Sequence, residues 1–184
     1  MHKSKFFLQF LTKGTKVGSM VPSSPFLAMK MMQYIPFNNA RNFVELGPGT
    51  GVFTTQLLER MHADSRLILV ELNSLFYQEL VDTISDPRVV IVHGSVLDLE
   101  KILKEQNMQQ VDCILSSLPL SIFPNDLAVN ILNLCKDCLK KEGLFIQFQY
   151  SLKYRKKLNG LYRNIKLEFT PLNFPPAFIY SCTK

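Results

Sequence analysis

The chain has no tryptophan, no acidic residue before Glu45 and no apolar run near the roughly 20 residues that a bilayer-spanning helix needs. No membrane-spanning helix is therefore expected. Cysteine is scarce as well. Cys113, Cys135, Cys138 and Cys182 lack the framework spacing of small secreted domains, so reduced thiols in a cytoplasmic protein are expected. Cys135-Lys136-Asp137-Cys138 has no second Cys pair or His cluster to complete a zinc site, so it reads as two residues of a helix and no metal is expected. The apolar stretch Phe6 to Leu11 is shorter than a signal-peptide core, and no small-residue cleavage site follows it, so secretion is not expected. Repeats, Gly/Ser-rich stretches and long like-charge runs are also missing, so no extended disorder is expected.

What is present fits one well-buried domain. The chain has 184 residues, 47% of them hydrophobic and 20% charged. The net charge of +6 is unevenly spread. Residues 1–44 carry Lys3, Lys5, Lys13, Lys16, Lys30 and Arg41 with no acid, whereas bases and acids balance from Glu45 onward. Such a segment suits phosphate, in nucleic acid or in lipid headgroups. Phe6, Phe7, Phe10 and Leu11 recur at helical spacing among the lysines, giving a short basic amphipathic helix. A second helix is predicted to start with Ser24 as N-cap and Pro25 at its first position, and to stop near Tyr34.

From Asn42 onward, apolar runs alternate with helical patterns, as βαβ units do around a mostly parallel sheet. The predicted strands are Phe43–Leu46, Leu67–Glu71, Val89–Val92, Val111–Ser116 and Leu144–Tyr150. Helices are predicted at Phe53–Met61, Ser74–Thr83, Asp98–Gln106 and Asn125–Lys141, the last with Lys140-Lys141 complementing its dipole. Ile165–Phe169 and Ala177–Ser181 read as a closing β-hairpin with a proline-rich connection.

Glu45-Leu46-Gly47-Pro48-Gly49-Thr50-Gly51 follows a strand and opens a helix, so three glycines stand where backbone must approach a ligand closely. Glu71 ends the second strand, where a carboxylate can accept from both hydroxyls of a ribose. This pattern resembles the class I S-adenosylmethionine-dependent methyltransferases. The resemblance implies a Rossmann-like α/β fold: a seven-stranded, mostly parallel sheet with an antiparallel C-terminal hairpin and an N-terminal helical lid. It also implies a single domain, 1–184, in which a basic helical segment (1–41) precedes a cofactor-binding core (42–184). The cofactor would be S-adenosyl-L-methionine, held by Glu45, Gly47, Pro48, Gly49, Thr50, Gly51, Glu71 and Leu72. Gly94, Ser95 and Val96 would lie at the adenine, Ser116 and Ser117 at the fourth strand, and Ser19 and Met20 in the lid. Many family members carry Asp where Ser95 stands, so the Ser95 hydroxyl or the backbone near Val96 must replace it.

After the fourth strand comes Ser116-Ser117-Leu118-Pro119-Leu120-Ser121-Ile122, which resembles the N-L-P-Y-S-I of ribosomal RNA adenine dimethyltransferases with Ser117 for Asn and Leu120 for Tyr. Those two residues hold a flipped adenine by hydrogen bonding and stacking, which Ser and Leu cannot reproduce. No helical substrate domain like that of the RNA enzymes is expected either. The resemblance to bacterial phospholipid N-methyltransferases is closer. It runs through Val17 to Pro25, the glycine motif, Ser117-Leu118-Pro119-Leu120, Gln147-Phe148-Gln149-Tyr150, Asn173-Phe174-Pro175-Pro176-Ala177 and Tyr180. It implies methylation of the phosphatidylethanolamine amine by a protein peripheral to the inner face of the membrane. Lys3, Lys5, Phe6, Phe7, Phe10, Lys13 and Lys16 would dock on anionic lipid, and residues 18–25 would lie over the cofactor. Lys153, Arg155, Lys156 and Lys157 form a second basic cluster, either a solvated loop or part of the substrate mouth. Tyr150, Tyr34 and His93 are candidates for taking the amine proton, Tyr150 first, since it could also hold an ammonium by a cation–π contact. An RNA adenine methyltransferase and a non-catalytic cofactor-binding module remain as alternatives.

Overall fold

Strands covered on both faces read as near-continuous apolar runs, and Leu67-Ile68-Leu69-Val70 is such a run. In the computed structural model, which describes residues 24–184, it forms the heart of β2 (Arg66–Glu71). The other parallel strands are β1 (Asn42–Leu46), β3 (Val89–His93), β4 (Val111–Ser116) and β5 (Leu139–Gln149). The antiparallel hairpin is β6 (Asn164–Thr170) and β7 (Ala177–Thr183), with Thr170 opposite Ala177 beside the Pro171 to Pro176 connection. The sheet order is β3-β2-β1-β4-β5-β7-β6, so the seven strands are mostly parallel with an antiparallel C-terminal hairpin, as expected. Side-chain alternation sorts the core. Val44, Leu46, Ile68, Val70 and Ile114 face one way; Phe43, Leu67, Leu69, Cys113 and Leu115 face the other.

Helices cover both faces. On one lie α1 (Pro25–Met32), α2 (Val52–Leu58) and α3 (Ser74–Thr83), packed through Leu27, Met31, Phe53, Leu57 and Leu80. On the other lie α4 (Leu99–Glu105), α5 (Asn125–Cys138) and α6 (Arg155–Leu161), with Ile102, Leu132 and Leu158 fully or nearly buried. Burying each such side chain contributes roughly 1.5–3 kcal/mol before conformational entropy opposes it. Ser24 caps α1 as expected, its hydroxyl accepting from the Leu27 N–H at 3.1 Å.

Several boundaries differ from expectation, among them the end of α2, which stops at Leu58 rather than Met61. The helix predicted to run to Lys141 ends at Cys138, because Leu139 turns into the core and pairs with Val111 at the start of β5. Lys140 therefore serves no helix dipole; its ammonium lies 2.7 Å from Asp112 on β4. Arg155, Lys156 and Lys157 lie on a helix, α6, which buries Leu158 beneath them. Asp98 belongs to a 3₁₀ turn, Val96–Asp98, ahead of α4. The expected basic amphipathic helix, the lid and its Ser19 and Met20, and Lys3, Lys5, Phe6, Phe7, Phe10, Lys13 and Lys16 lie outside the described residues. Cys135 and Cys138 are free, buried helix residues. Among the described residues no group of three or more His, Cys, Asp or Glu could hold a metal, and no helix is long and apolar enough to cross a membrane.

Candidate active site

The sheet order reverses between β1 and β4, and in open α/β sheets the crevice beyond the strand ends at that point is where ligands bind. Here the β1–α2 turn carries the glycine motif. Gly47, Gly49 and Gly51 all have left-handed φ values, +67°, +58° and +80°, which side chains with a Cβ adopt only with strain. A Cβ on Gly47 would press on Leu118 Cδ2 at 3.2 Å, so the turn is locked against the loop after β4. A Cβ on Gly49 would meet nothing within 4 Å among the described residues. That is an open cradle, bounded by backbone.

Glu71 closes it. At the end of β2, only 6% exposed, its Oε2 accepts from the Gly49 N–H at 3.0 Å and its Oε1 from the Asn73 N–H at 2.8 Å. Each oxygen keeps a second lone pair for a ligand hydroxyl. Burial raises its pKa above the ordinary carboxylate value, and the N–H groups of Asn73 and Gly49 pull it back. Asn73 also caps α3, so one residue both ends the acid's loop and starts the helix.

Beneath the turn, Glu45 is fully buried in β1. Its Oε2 accepts from the Thr54 hydroxyl at 2.7 Å, while Oε1 has no hydrogen-bond partner among the described residues. Burial pushes its pKa up to about 8; the Thr54 hydrogen bond opposes this and the nearby Glu71 charge adds to it. An orphaned carboxyl oxygen, an open glycine cradle and the Glu71 carboxylate with its free lone pairs together fit an adenosyl ligand. Pro48 and Gly51 are buried within the turn, whereas Thr50 is exposed at its crest.

At the third strand, the Gly94 N–H donates to Glu71 O at 3.0 Å, which brings Gly94, Ser95 and Val96 beside Leu72 and Glu71. The Ser95 hydroxyl accepts from the Leu97 N–H at 3.1 Å and so caps the 3₁₀ turn. At the fourth strand, the Ser117 N–H donates to Leu46 O at 3.0 Å, joining the two halves of the crevice. Ser116 is buried, and the Ser117 hydroxyl is buried without a partner among the described residues. Leu120 does not line the crevice: it is 1% exposed and belongs to the core.

The three proton-acceptor candidates lie far apart. Tyr150, 44% exposed, stands just past β5 at the crevice end of the sheet, edge-on to Phe148, which in turn packs on Phe53 of α2. Burial holds its phenol above the ordinary value, with Asn173 pulling the other way. His93 is exposed at the end of β3, stacked on Tyr77 at 4.9 Å with Nε2 3.2 Å from Leu72 O. The structure does not bring Tyr34 to the glycine turn. Its hydroxyl binds Glu168 on the far edge strand β6, with the Lys166 ammonium over its ring at 4.6 Å.

Several residues of the site were not singled out by the sequence. Thr54 and Asn73 were visible as a hydroxyl one turn into α2 and an N-cap before α3. Gln147 was quoted only within a motif, yet its amide donates to Leu118 O at 3.0 Å and fixes the loop after β4; a glutamine inside an apolar strand was the available signal. Asn173 is 6% exposed and accepts from the Ser24 N–H at 3.0 Å, tying the start of α1 to the β6–β7 loop. A cleft of about 570 Å³, separate from the glycine turn, opens between α5 and α6 along Asn125, Asp126, Val129, Lys153, Tyr154, Lys156 and Lys157. Lys153 reaches from it to Ser121 O at 3.0 Å, which places it against the loop after β4.

A family model described as ribosomal RNA adenine dimethylase matches residues 12–161. An ornithine lipid N-methyltransferase of Singulisphaera acidiphila is 34% identical over 182 residues, covering 96% of this chain and 95% of that protein. Among solved structures, an O-methyltransferase from Bacillus cereus in complex with SAH gives a TM-score of 0.73 at 13% identity, covering 100% of this chain and 92% of its own. A SAM-dependent methyltransferase from Archaeoglobus fulgidus gives 0.66 at 16% identity, covering 95% and 99%. At such identities the structural likeness speaks for the fold.

Proposed function

The chain belongs to the ribosomal RNA adenine dimethylase family and is an S-adenosylmethionine-dependent methyltransferase, and from that premise we propose that it methylates the amine nitrogen of a membrane lipid. Phosphatidylethanolamine is the first acceptor to test and an ornithine lipid the second, with the protein working peripherally at the inner face of the membrane. The full-length similarity to a lipid N-methyltransferase carries this reading. The loop after β4 supports it: Ser117 and the buried Leu120 offer neither the amide nor the ring that would grip a flipped adenine.

In this reading residues 42–184 form the cofactor-binding core. The Glu71 carboxylate accepts from the ribose hydroxyls, and the backbone of Gly47, Pro48, Gly49, Thr50 and Gly51 lies along the ligand. Leu72, Gly94 and Val96 border the adenine; with the Ser95 hydroxyl engaged as a cap, backbone carries more of that contact. Glu45 sets a protonated carboxyl group beneath the turn, and Ser116 and Ser117 form the β4 wall. The cofactor supplies an electrophilic methyl group. The chain's task is alignment and exclusion of water around the acceptor nitrogen. That nitrogen must arrive as the free base, since an ammonium has no lone pair. Tyr150, with its phenol held protonated, offers a hydrogen bond and a ring face and acts as a positioning group for the amine.

Protein incubated with methyl-labelled cofactor, extracted membrane lipid and ribosomal RNA should place label in the lipid fraction, and purified phosphatidylethanolamine and ornithine lipid then identify the acceptor. Label in RNA with none in lipid would reverse the assignment.

A further inference from the structure

The loops at the crevice end of the sheet carry an unusual surface. The β6–β7 loop, Pro171-Leu172-Asn173-Phe174-Pro175-Pro176, leaves Phe174 78% and Leu172 59% exposed. It is not a slack loop. Asn173 is buried between them, accepting from the Ser24 N–H and donating to Pro175 O at 2.8 Å, while the Ser24 hydroxyl donates to Leu172 O at 2.8 Å. Three prolines and this network hold the two apolar side chains outward, where water disfavours them. On the same end, Ile122 after β4 is 55% exposed and Leu152 after β5 is 41% exposed. The parallel and antiparallel registers of β4, β5, β7 and β6 place these loops side by side.

The neighbouring charge is mostly positive. Across residues 117–126, 150–157 and 171–176 the basic residues are Lys153, Arg155, Lys156 and Lys157, and Asp126 is the one acid. Arg155, Lys156 and Lys157 occupy the first turn of α6, the end where a helix dipole favours acids, so their placement does not serve the helix. Three lysines line the cleft beside Ile122 and Leu152. Apolar side chains held at a loop tip next to a basic rim match the outer layer of an anionic bilayer: acyl chains for the first and phosphate for the second.

We propose that this rim, centred on Leu172 and Phe174 and flanked by the Lys153–Lys157 cluster, docks on anionic lipid bilayer independently of residues 1–16 and turns the mouth of the site toward the membrane. The proposal rests on the lipid-acceptor reading but is tested apart from it. Full-length protein is sedimented with vesicles of phosphatidylglycerol and phosphatidylethanolamine, while turnover is followed separately on detergent-dispersed lipid. The Leu172→Ser/Phe174→Ser variant, altered only at exposed positions, should bind vesicles at least tenfold more weakly with unchanged thermal stability, cofactor affinity and turnover on dispersed lipid. Replacing Lys153, Lys156 and Lys157 by Gln should abolish the preference for these vesicles over phosphatidylcholine ones. Wild-type binding by the Leu172/Phe174 variant overturns the docking surface, as does binding lost entirely on removing residues 1–16. Rim-dependent binding by a protein that methylates no dispersed lipid upholds the docking surface and defeats only the lipid-acceptor reading.

Discussion

Replacing Glu45 by Gln tests whether the glycine turn is built over a protonated acid. In the folded chain Glu45 keeps its proton up to about pH 8, whereas unfolded it releases it near its ordinary 4.5. Between those values folding takes up a proton, so this group's contribution makes the native state less stable as pH rises, levelling off above about 8. At about 1.4 kcal/mol per pH unit the whole span amounts to about 5 kcal/mol as a ceiling. Gln has no proton to lose and can still accept from Thr54, so Glu45→Gln should gain stability relative to the parent across this window, by at least about 2 kcal/mol between pH 5.5 and 9. Urea unfolding of both proteins at a series of pH values reads the difference directly and cancels the other titrating groups. Parallel stability curves would refute the protonated-acid account.

Gly49→Ala should cost about 1 kcal/mol in stability for its left-handed φ, but should weaken cofactor binding far more, at least tenfold by calorimetry, because the new methyl enters the open cradle. Asp112→Ala should cost about 1–3 kcal/mol in chemical unfolding, since it strips acceptors from the Arg41 and Asn42 N–H groups and from Lys140. Partial burial pushes Asp112 up, yet Lys140, Asn42 and Arg41 hold it below its ordinary value. Its contribution is therefore present above about pH 3.8 and lost as pH falls through the folded pKa, a loss the variant should lack. Tyr150→Phe should leave methyl transfer within severalfold of the parent, whereas Tyr150→Ala should raise the lipid KM about tenfold by removing the ring; a steep loss in Tyr150→Phe would mean that the hydroxyl takes the proton itself.

Much of the core was legible because its physics is local. A strand buried on both faces announces itself by an unbroken run such as Leu67 to Val70, and three glycines between strand and helix mark a turn whatever the rest of the chain does. Glu71 was read at a strand end, and it ends β2. What failed was decided by distant partners. Helical spacing carried α5 past Cys138 because nothing in the local pattern reveals that Val111 will pair with Leu139. Tyr34 read as a candidate for taking the amine proton, but its partner Glu168 lies 134 residues away on the far edge strand. A run of bases concealed α6, since the single buried Leu158 gives little periodicity. The buried Leu120 was recognised as a departure from the adenine enzymes, but only packing shows that it leaves the crevice for the core.

The proposed cofactor site is built from the glycine turn and the Glu71 carboxylate that accepts from the Gly49 N–H. Calorimetric titration of S-adenosylmethionine into a folded Glu71→Ala variant tests it most directly. Losing hydrogen bonds to a charged acceptor, at about 1.5–3 kcal/mol each, should weaken binding by at least tenfold. Affinity equal to that of the parent protein would contradict it.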